Sequence, residues 1–383
     1  MATRGKGEGS IRKRADGSWE ARIDIGRDAS GRRRSKSVYG KTKKEVSDKL
    51  TKLAAEKLDG VIVDSGRTTV GDLLNRWLEE SSRINTAPNT HTRYESVTRI
   101  HLKPTLGKIR LSQLNPMHVS GLLSKLEREN VGERTRGMAY AVLRRALNIG
   151  MKWGLLVRNV CSSVDPPKQH RAHVTTLTEK QVNELLAATS ETRWGALFML
   201  AITTGLRQGE LFALKWEDID LNRGLLSVRH SLEEVAGKLR LKEPKSKSGR
   251  RQVTLSTGAI ESIWAHRAIL MSEGLAGCEM VFSDSEGKFL RKSNFERRVW
   301  HKYRDGAEIP NTITFHDLRH TSATILLAAG CHPKIVQERL GHSSIQLTVD
   351  TYSHILPSMQ ADAATKFDHI KISPKPLKTS DCG

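Results

Sequence analysis

Two adjacent prolines, Pro166 and Pro167, constrain this chain more than any other feature, and the polar run Lys168-Gln169-His170-Arg171 follows them. Neither ring can donate a backbone hydrogen bond, and both clash with a continuing helix. The segment is therefore a linker with separate bodies on either side. At 383 residues the chain is long enough for two or three of them.

Upstream of the linker the pattern is helical. Thr69 reads as a helix N-cap, with Asp72 completing a capping box. Val70, Leu73, Leu74, Trp77 and Leu78 then recur at the spacing of one helix face. Further helices are expected over about residues 89–102, 116–130 and 134–153, ending near Asn159. Bases such as Arg93, Arg99, Lys125, Arg136 and Arg144 suit a bundle that grips duplex backbone, although a purely structural bundle fits the same pattern.

The first 60 residues hold 17 lysines and arginines against 9 acidic residues, a net +8. Trp19 to Ile25 alternates in the strand manner between turns at Asp16-Gly17 and around Asp28 to Gly31. Arg32 to Tyr39 supplies another strand, and a helix from Lys43 to about Leu58 places Val46, Leu50, Leu53 and Leu58 broadly on one side. The reading is a small three-stranded sheet backed by one helix. With arginines on its strands it suits a DNA groove, or else it is a solvated basic face.

Beyond the linker, Thr178 and Gln181 form a second capping box, flanked by Leu177 and Val182. The remainder is mostly helical, with a strand-rich stretch from about Leu225 to Leu255. The fold class is thus mainly α with small β elements, an α+β chain.

Charge narrows the partner. Lysine and arginine number 63 against 42 acidic residues, a formal +21. A clustered excess of that size suits a polyanion, whose condensed counterions are released on binding. Cys161, Cys278, Cys331 and Cys382 form no C-x-x-C pair, which suits free thiols in a reducing cytoplasm. The longest apolar run, Trp194 to Leu206, falls short of the roughly 20 residues a membrane span needs. The first residues lack the apolar stretch of a secretion signal. A soluble cytoplasmic protein with no membrane partner is expected.

Five short stretches in the third segment carry chemistry. Thr204-Gly205-Leu206-Arg207-Gln208-Gly209-Glu210-Leu211 follows an apolar helix. Pro244-Lys245-Ser246-Lys247-Ser248-Gly249-Arg250-Arg251 is expected as the tip of a hairpin. His316-Asp317-Leu318-Arg319-His320 opens a helix, with His316 and Arg319 on one face. Leu340-Gly341-His342 ends a short helix begun at Pro333, and Tyr352 follows ten residues after His342.

In this order and spacing, the stretches resemble the tyrosine recombinase (phage integrase) family, and the resemblance runs over essentially the whole chain. It implies an arm-type DNA-binding domain at residues 1–66 and a core-type DNA-binding helical domain at 67–165. It further implies a catalytic domain at 172–372 and a tail at 373–383. The implied activity is site-specific recombination for a phage or integrative element, integrating it and excising it. The implied partners are double-stranded attachment sites of core and arm type, a homotetramer on DNA, a directionality factor and a DNA-bending protein. The implied place is the bacterial cytoplasm at the nucleoid.

The residue types fit that reaction. Attack on a phosphodiester builds charge on the non-bridging oxygens, and the fixed forks of Arg207 and Arg319 can clamp them. Tyr352 is the nucleophile; a phenol has a pKa near 10, so it needs help losing its proton. His316 is placed to accept that proton and His342 to donate a hydrogen bond to the phosphate. Lys245 is expected to protonate the departing 5′-oxygen, with Lys247 two residues away as the alternative. The cleaved strand would end as a 3′-phosphotyrosine, so neither ATP nor a metal cofactor is implied.

Other readings have their own residues. Glu217-Asp218-Ile219-Asp220 could bind Mg²⁺ in a metal-dependent nuclease, though no second acidic cluster lies nearby. A type IB topoisomerase shares the tyrosine chemistry but has no use for a basic N-terminal sheet. A DNA-binding regulator with a dead site would not keep all six side chains.

Overall fold

The computed structural model describes residues 9–27, 33–58, 68–169, 175–244 and 249–352. Lys245, Lys247, the turn expected around residues 28–31 and the chain from residue 353 on lie outside the described residues. The chain divides into two units, Met1–Arg171 and Ala172–Gly383, parting at the end of the proline run.

The first unit holds two separate hydrophobic cores. Strands β1 (Ser10–Lys13), β2 (Trp19–Arg27) and β3 (Arg33–Gly40) form an antiparallel sheet in that order. Gly17, at φ +82°, makes the first turn. The register aligns Ile11, Ala21 and Val38 on one face, against which the Lys43–Leu58 helix packs Val46, Leu50 and Leu53. The opposite face carries Arg12, Glu20 and Tyr39 in one row, and Arg22 hydrogen-bonded to Ser35 in the next.

The second core belongs to a helical bundle. Thr69 accepts from the Asp72 amide and the Asp72 carboxylate accepts from the Thr69 amide, so the capping box starts the Val70–Trp77 helix. Val70, Leu73, Leu74, Trp77 and Leu78 are all buried. Helices Pro88–Val97, Pro116–Arg128 and Glu133–Lys152 complete the bundle. Two helices run on through π-helical turns, Leu78–Ser82 and Thr98–Leu102, which the sequence pattern had not revealed.

In the second unit, Thr178 and Gln181 cap the Glu179–Thr189 helix as expected. The following Gly195–Thr204 helix is buried on nearly every side, as suits a helix that is almost wholly apolar and carries no charge. Around Phe198 an aromatic cluster gathers Phe295, Trp300, Tyr303 and Phe315. Phe315 is held at 5.1 Å from Phe295 and 5.8 Å from Trp300 between ring centroids, and it anchors the chain immediately before His316. Helices Thr257–Ser272, Asp317–Ala328, Pro333–Leu340 and Ile345–Tyr352 follow.

The strands correct one expectation. Strands β4 (Ile219–Asp220), β5 (Leu225–Val228) and β8 (Arg251–Thr254) form one sheet, and β6 (Ser231–Val235) pairs, among the described residues, with β7 (Lys238–Lys242) alone. The hairpin turn is therefore Ala236-Gly237, both at positive φ, as a tight two-residue turn between twisted strands requires. Strands β7 and β8, on either side of Pro244 to Arg250, belong to different sheets, so the two do not pair as a hairpin.

Candidate active site

Arg207 sits where the apolar helix stops. Gly205 caps that helix in the left-handed conformation, φ +63°, and turns the chain sharply. Arg207 is then the N-cap of the short Gln208–Leu211 helix, where its amide donates to Glu210 Oε2 at 2.9 Å and its Nη1 to Glu210 Oε1 at 2.8 Å. The guanidinium keeps 41% of its side-chain surface while Glu210 keeps 4%. The arginine thus faces outward from a buried carboxylate.

Glu210 has a second cation. Arg251, the first residue of β8, places Nη2 at 2.9 Å from Glu210 Oε2, and its side chain is 7% exposed. Burial alone would raise the Glu210 carboxyl. The charges and hydrogen bonds of Arg251 and Arg207 overcome it and hold the carboxyl below its ordinary value.

Arg319 arrives on the helix that follows Phe315. It is buried, 3% exposed, and its Nη1 donates to the Gly205 carbonyl at 2.7 Å. His316 is the N-cap of the same helix, with its ring 5.3 Å from that of His320. Burial pushes the His316 imidazole down to about 4, helped by the charges of His320, Arg319 and Arg207. It is neutral near neutral pH, as a proton acceptor must be.

His342 follows Gly341, which ends the Pro333–Leu340 helix at φ +69°. Its amide donates to Gln337 O at 3.1 Å, and its carbonyl accepts from Gln337 Nε2 at 2.9 Å. Its Nδ1 lies 2.8 Å from the Thr348 hydroxyl, which leaves Nε2 as the ring atom for another partner. Burial and the charges of Arg319 and Arg207 push this imidazole down to about 3. A basic cleft of about 500 Å³ opens beside it, lined by Arg250, Arg251, Lys334 and Arg339 among others.

Four of the six expected side chains therefore gather from three distant stretches. Arg207 and Arg319 act electrostatically on both His316 and His342. Tyr352 is the last residue of the Ile345–Tyr352 helix, the element that also supplies Thr348; its side chain, like Lys245, is outside the described residues. The sequence reading had not singled out Thr348 or Arg251 for a role of its own. Thr348 had a local signal, six residues from His342. Arg251 had none beyond its basic neighbourhood.

The rival acidic cluster is built into the fold. The Asp218 side chain is buried and accepts from the Lys215 amide at 3.2 Å, with Arg229 at 3.5 Å. Among the described residues no group of three His, Cys, Asp or Glu could hold a metal ion.

Residues 175–359 match the phage integrase family, and residues 69–126 match its N-terminal SAM-like domain. A tyrosine recombinase XerC-like protein of Caldanaerobacter subterraneus subsp. tengcongensis is 30% identical over 375 residues, 91% of this chain and 95% of the relative. The chain belongs to the phage integrase family. As a tyrosine recombinase it cleaves and rejoins DNA in site-specific recombination. The fold agrees with solved relatives. The Tn1549 transposon integrase, in complex with transposon right end DNA, superposes with a TM-score of 0.66 at 22% identity, over 78% of this chain and 99% of that one. A lambda integrase, crystallised as a tetramer bound to a Holliday junction, gives 0.59 at 18% identity, over 89% and 94%.

Proposed function

We propose that this tyrosine recombinase integrates and excises a phage or integrative element through a 3′-phosphotyrosyl link to Tyr352. The observation that carries the residue assignment is that each arginine reaches a distant turn of the site, Arg207 Nη2 the Gly341 carbonyl beside His342 and Arg319 Nη1 the Gly205 carbonyl. In this reading the two guanidiniums clamp the scissile phosphate. The Tyr352 oxygen attacks phosphorus, the phosphorus–5′-oxygen bond breaks, and the phenolic proton passes to His316. Lys245 protonates the departing 5′-oxygen. In this reading the Thr348 hydroxyl, 2.8 Å from His342 Nδ1, serves as the donor, so that Nε2–H is left for the phosphate. A 5′-hydroxyl of another strand reverses the reaction and rejoins the DNA.

The domains follow the same reading. The N-terminal sheet takes arm-type sites with its Arg12, Arg22 and Tyr39 face. The helical bundle takes core sites, and four protomers assemble on DNA with a directionality factor and a DNA-bending protein. Among the described residues no helix is long and apolar enough to cross a membrane, and the bacterial nucleoid is the proposed place of action. The test is a nicked suicide duplex of the attachment core. Wild-type chain forms a covalent adduct that EDTA does not diminish, and Tyr352→Phe binds the duplex without forming one. An adduct of undiminished yield from Tyr352→Phe would place the nucleophile elsewhere.

A further inference from the structure

We propose that Arg251 is a positioning residue for DNA cleavage, tying the Arg207 turn to the His342 turn. The inference rests on the active-site reading above and adds a residue to it. Arg251 grips Glu210 with both terminal nitrogens, Nη2 to Oε2 at 2.9 Å and Nη1 to Oε1 at 3.4 Å. Its Nε donates to the Arg339 carbonyl at 2.6 Å. Glu210 in turn holds Arg207 by amide and guanidinium. Arg207 Nη2 then reaches the Gly341 carbonyl at 3.2 Å, two residues past Arg339 and one before His342.

These contacts close a ring. It runs from Arg207 through Glu210 to Arg251, on to the end of the Pro333–Leu340 helix, and back to Arg207. Arg251 Nη1 also lies 3.3 Å from the Gly249 carbonyl, at the end of the stretch that carries Lys245. One buried guanidinium therefore touches the supports of two expected catalytic groups, Arg207 and His342. Being 7% exposed and engaged on Nε, Nη1 and Nη2, it is turned toward protein. Its effect on the phosphate must pass through Arg207 and His342.

Arginine is required for the task. Its planar fork meets a carboxylate with one edge while Nε, fixed at a set angle, meets a backbone carbonyl. A lysine offers one flexible point charge. It could neutralise Glu210 but could not hold the Arg339 carbonyl in the same geometry. Reacting groups displaced by about 1 Å can lose about 100-fold in rate, and a slackened ring moves Arg207 and His342 together.

The experiment uses the full chain and the nicked attachment-core duplex, measuring single-turnover adduct formation, duplex affinity and thermal midpoint. Arg251→Met is expected to slow adduct formation at saturating duplex by about 100-fold, with affinity little changed. Arg251→Lys should recover the thermal midpoint but remain at least about tenfold slow. Adding Glu210→Gln to Arg251→Met should cost little more, since both cut the same ring. Two results would overturn the proposal: Arg251→Lys cleaving at the wild-type rate, or Arg251→Met losing rate only in proportion to its folded fraction. Because Arg251→Lys is read alongside, an Arg251→Met chain that fails to fold leaves the question decidable. Tyr352→Phe run in parallel separates the two levels: an adduct from it removes the active-site reading itself, whatever Arg251 does.

Discussion

The Arg207 guanidinium donates to the Gly341 carbonyl at 3.2 Å across a separation of 134 residues. One expected phosphate clamp is thereby fastened to the turn that presents His342. Arg319 makes the matching contact, reaching back 114 residues to the carbonyl of Gly205, the residue that turns the chain toward Arg207. Each arginine thus braces the turn beside another member of the site.

Arg207→Ala and Arg319→Ala should therefore differ in kind. On the proposed assignment both remove transition-state donors and should slow adduct formation by about 10²–10³ each. Arg319 is also buried, and its loss strips the Gly205 carbonyl of a charged donor, which costs about 1–3 kcal/mol of stability. Arg207, at 41% exposure, should change the thermal midpoint far less. Equal midpoints for the two variants, or a mild rate loss at both positions, would contradict this assignment.

Gly205→Ala tests the turn itself. The residue sits at φ +63°, and a Cβ there would lie 2.5 Å from Leu340 Cδ2. The left-handed conformation alone costs a residue with a Cβ about 1–2 kcal/mol, and the clash adds to it. A lower thermal midpoint and slower cleavage are expected together, because the clash falls between the Arg207 turn and the Pro333–Leu340 helix that leads to His342. An unchanged midpoint would show that the turn is not constrained as described.

The histidines make stability depend on pH with a definite sign. His316 is pushed down to about 4 and His342 to about 3, chiefly by burial. An unfolded histidine titrates near 6.5, so between those values the unfolded chain binds more protons than the folded one. Stability is then fully present above about pH 6.5 and is lost as pH falls toward 4 and then 3. Hydrogen exchange of peptides spanning residues 315–345, corrected for intrinsic rates, should show protection falling over that window. His316→Gln should flatten the fall. Protection that holds steady from pH 7 to pH 4 would mean these rings are not buried neutral.

What the sequence made legible was local. The capping boxes Thr69–Asp72 and Thr178–Gln181 lie within four residues, and their chemistry is self-contained. Gly205 and Gly341 announced helix ends for the same reason. The pairing of β8 with β5 was hidden, because a strand's partner is chosen by the packing of both faces and not by its own residues. Arg251 was hidden for a related reason. Its meaning lies in a carboxylate 41 residues earlier and a carbonyl 88 residues later. In the sequence it is one more base in a basic run.

The N-terminal sheet supplies the last prediction. The first 60 residues carry a net +8, and the sheet face opposite the core bears Arg12, Arg22 and Tyr39. Its own core of Ala21, Ile23, Val46, Leu50 and Leu53 is separate from that of the helical bundle. A chain beginning at Thr68 keeps the bundle and the catalytic unit, and it should still bind and cleave core sites. It should fail at full integrative recombination, because the proposed arm contacts that would organise four protomers are removed. On duplexes long enough to carry both site types, its affinity should fall less steeply with salt, by about 0.9 in slope for each phosphate contact removed. On core sites alone the two slopes should lie closer together. A truncated chain that recombines complete attachment sites as well as the full one would show that this sheet has no part in assembling the complex.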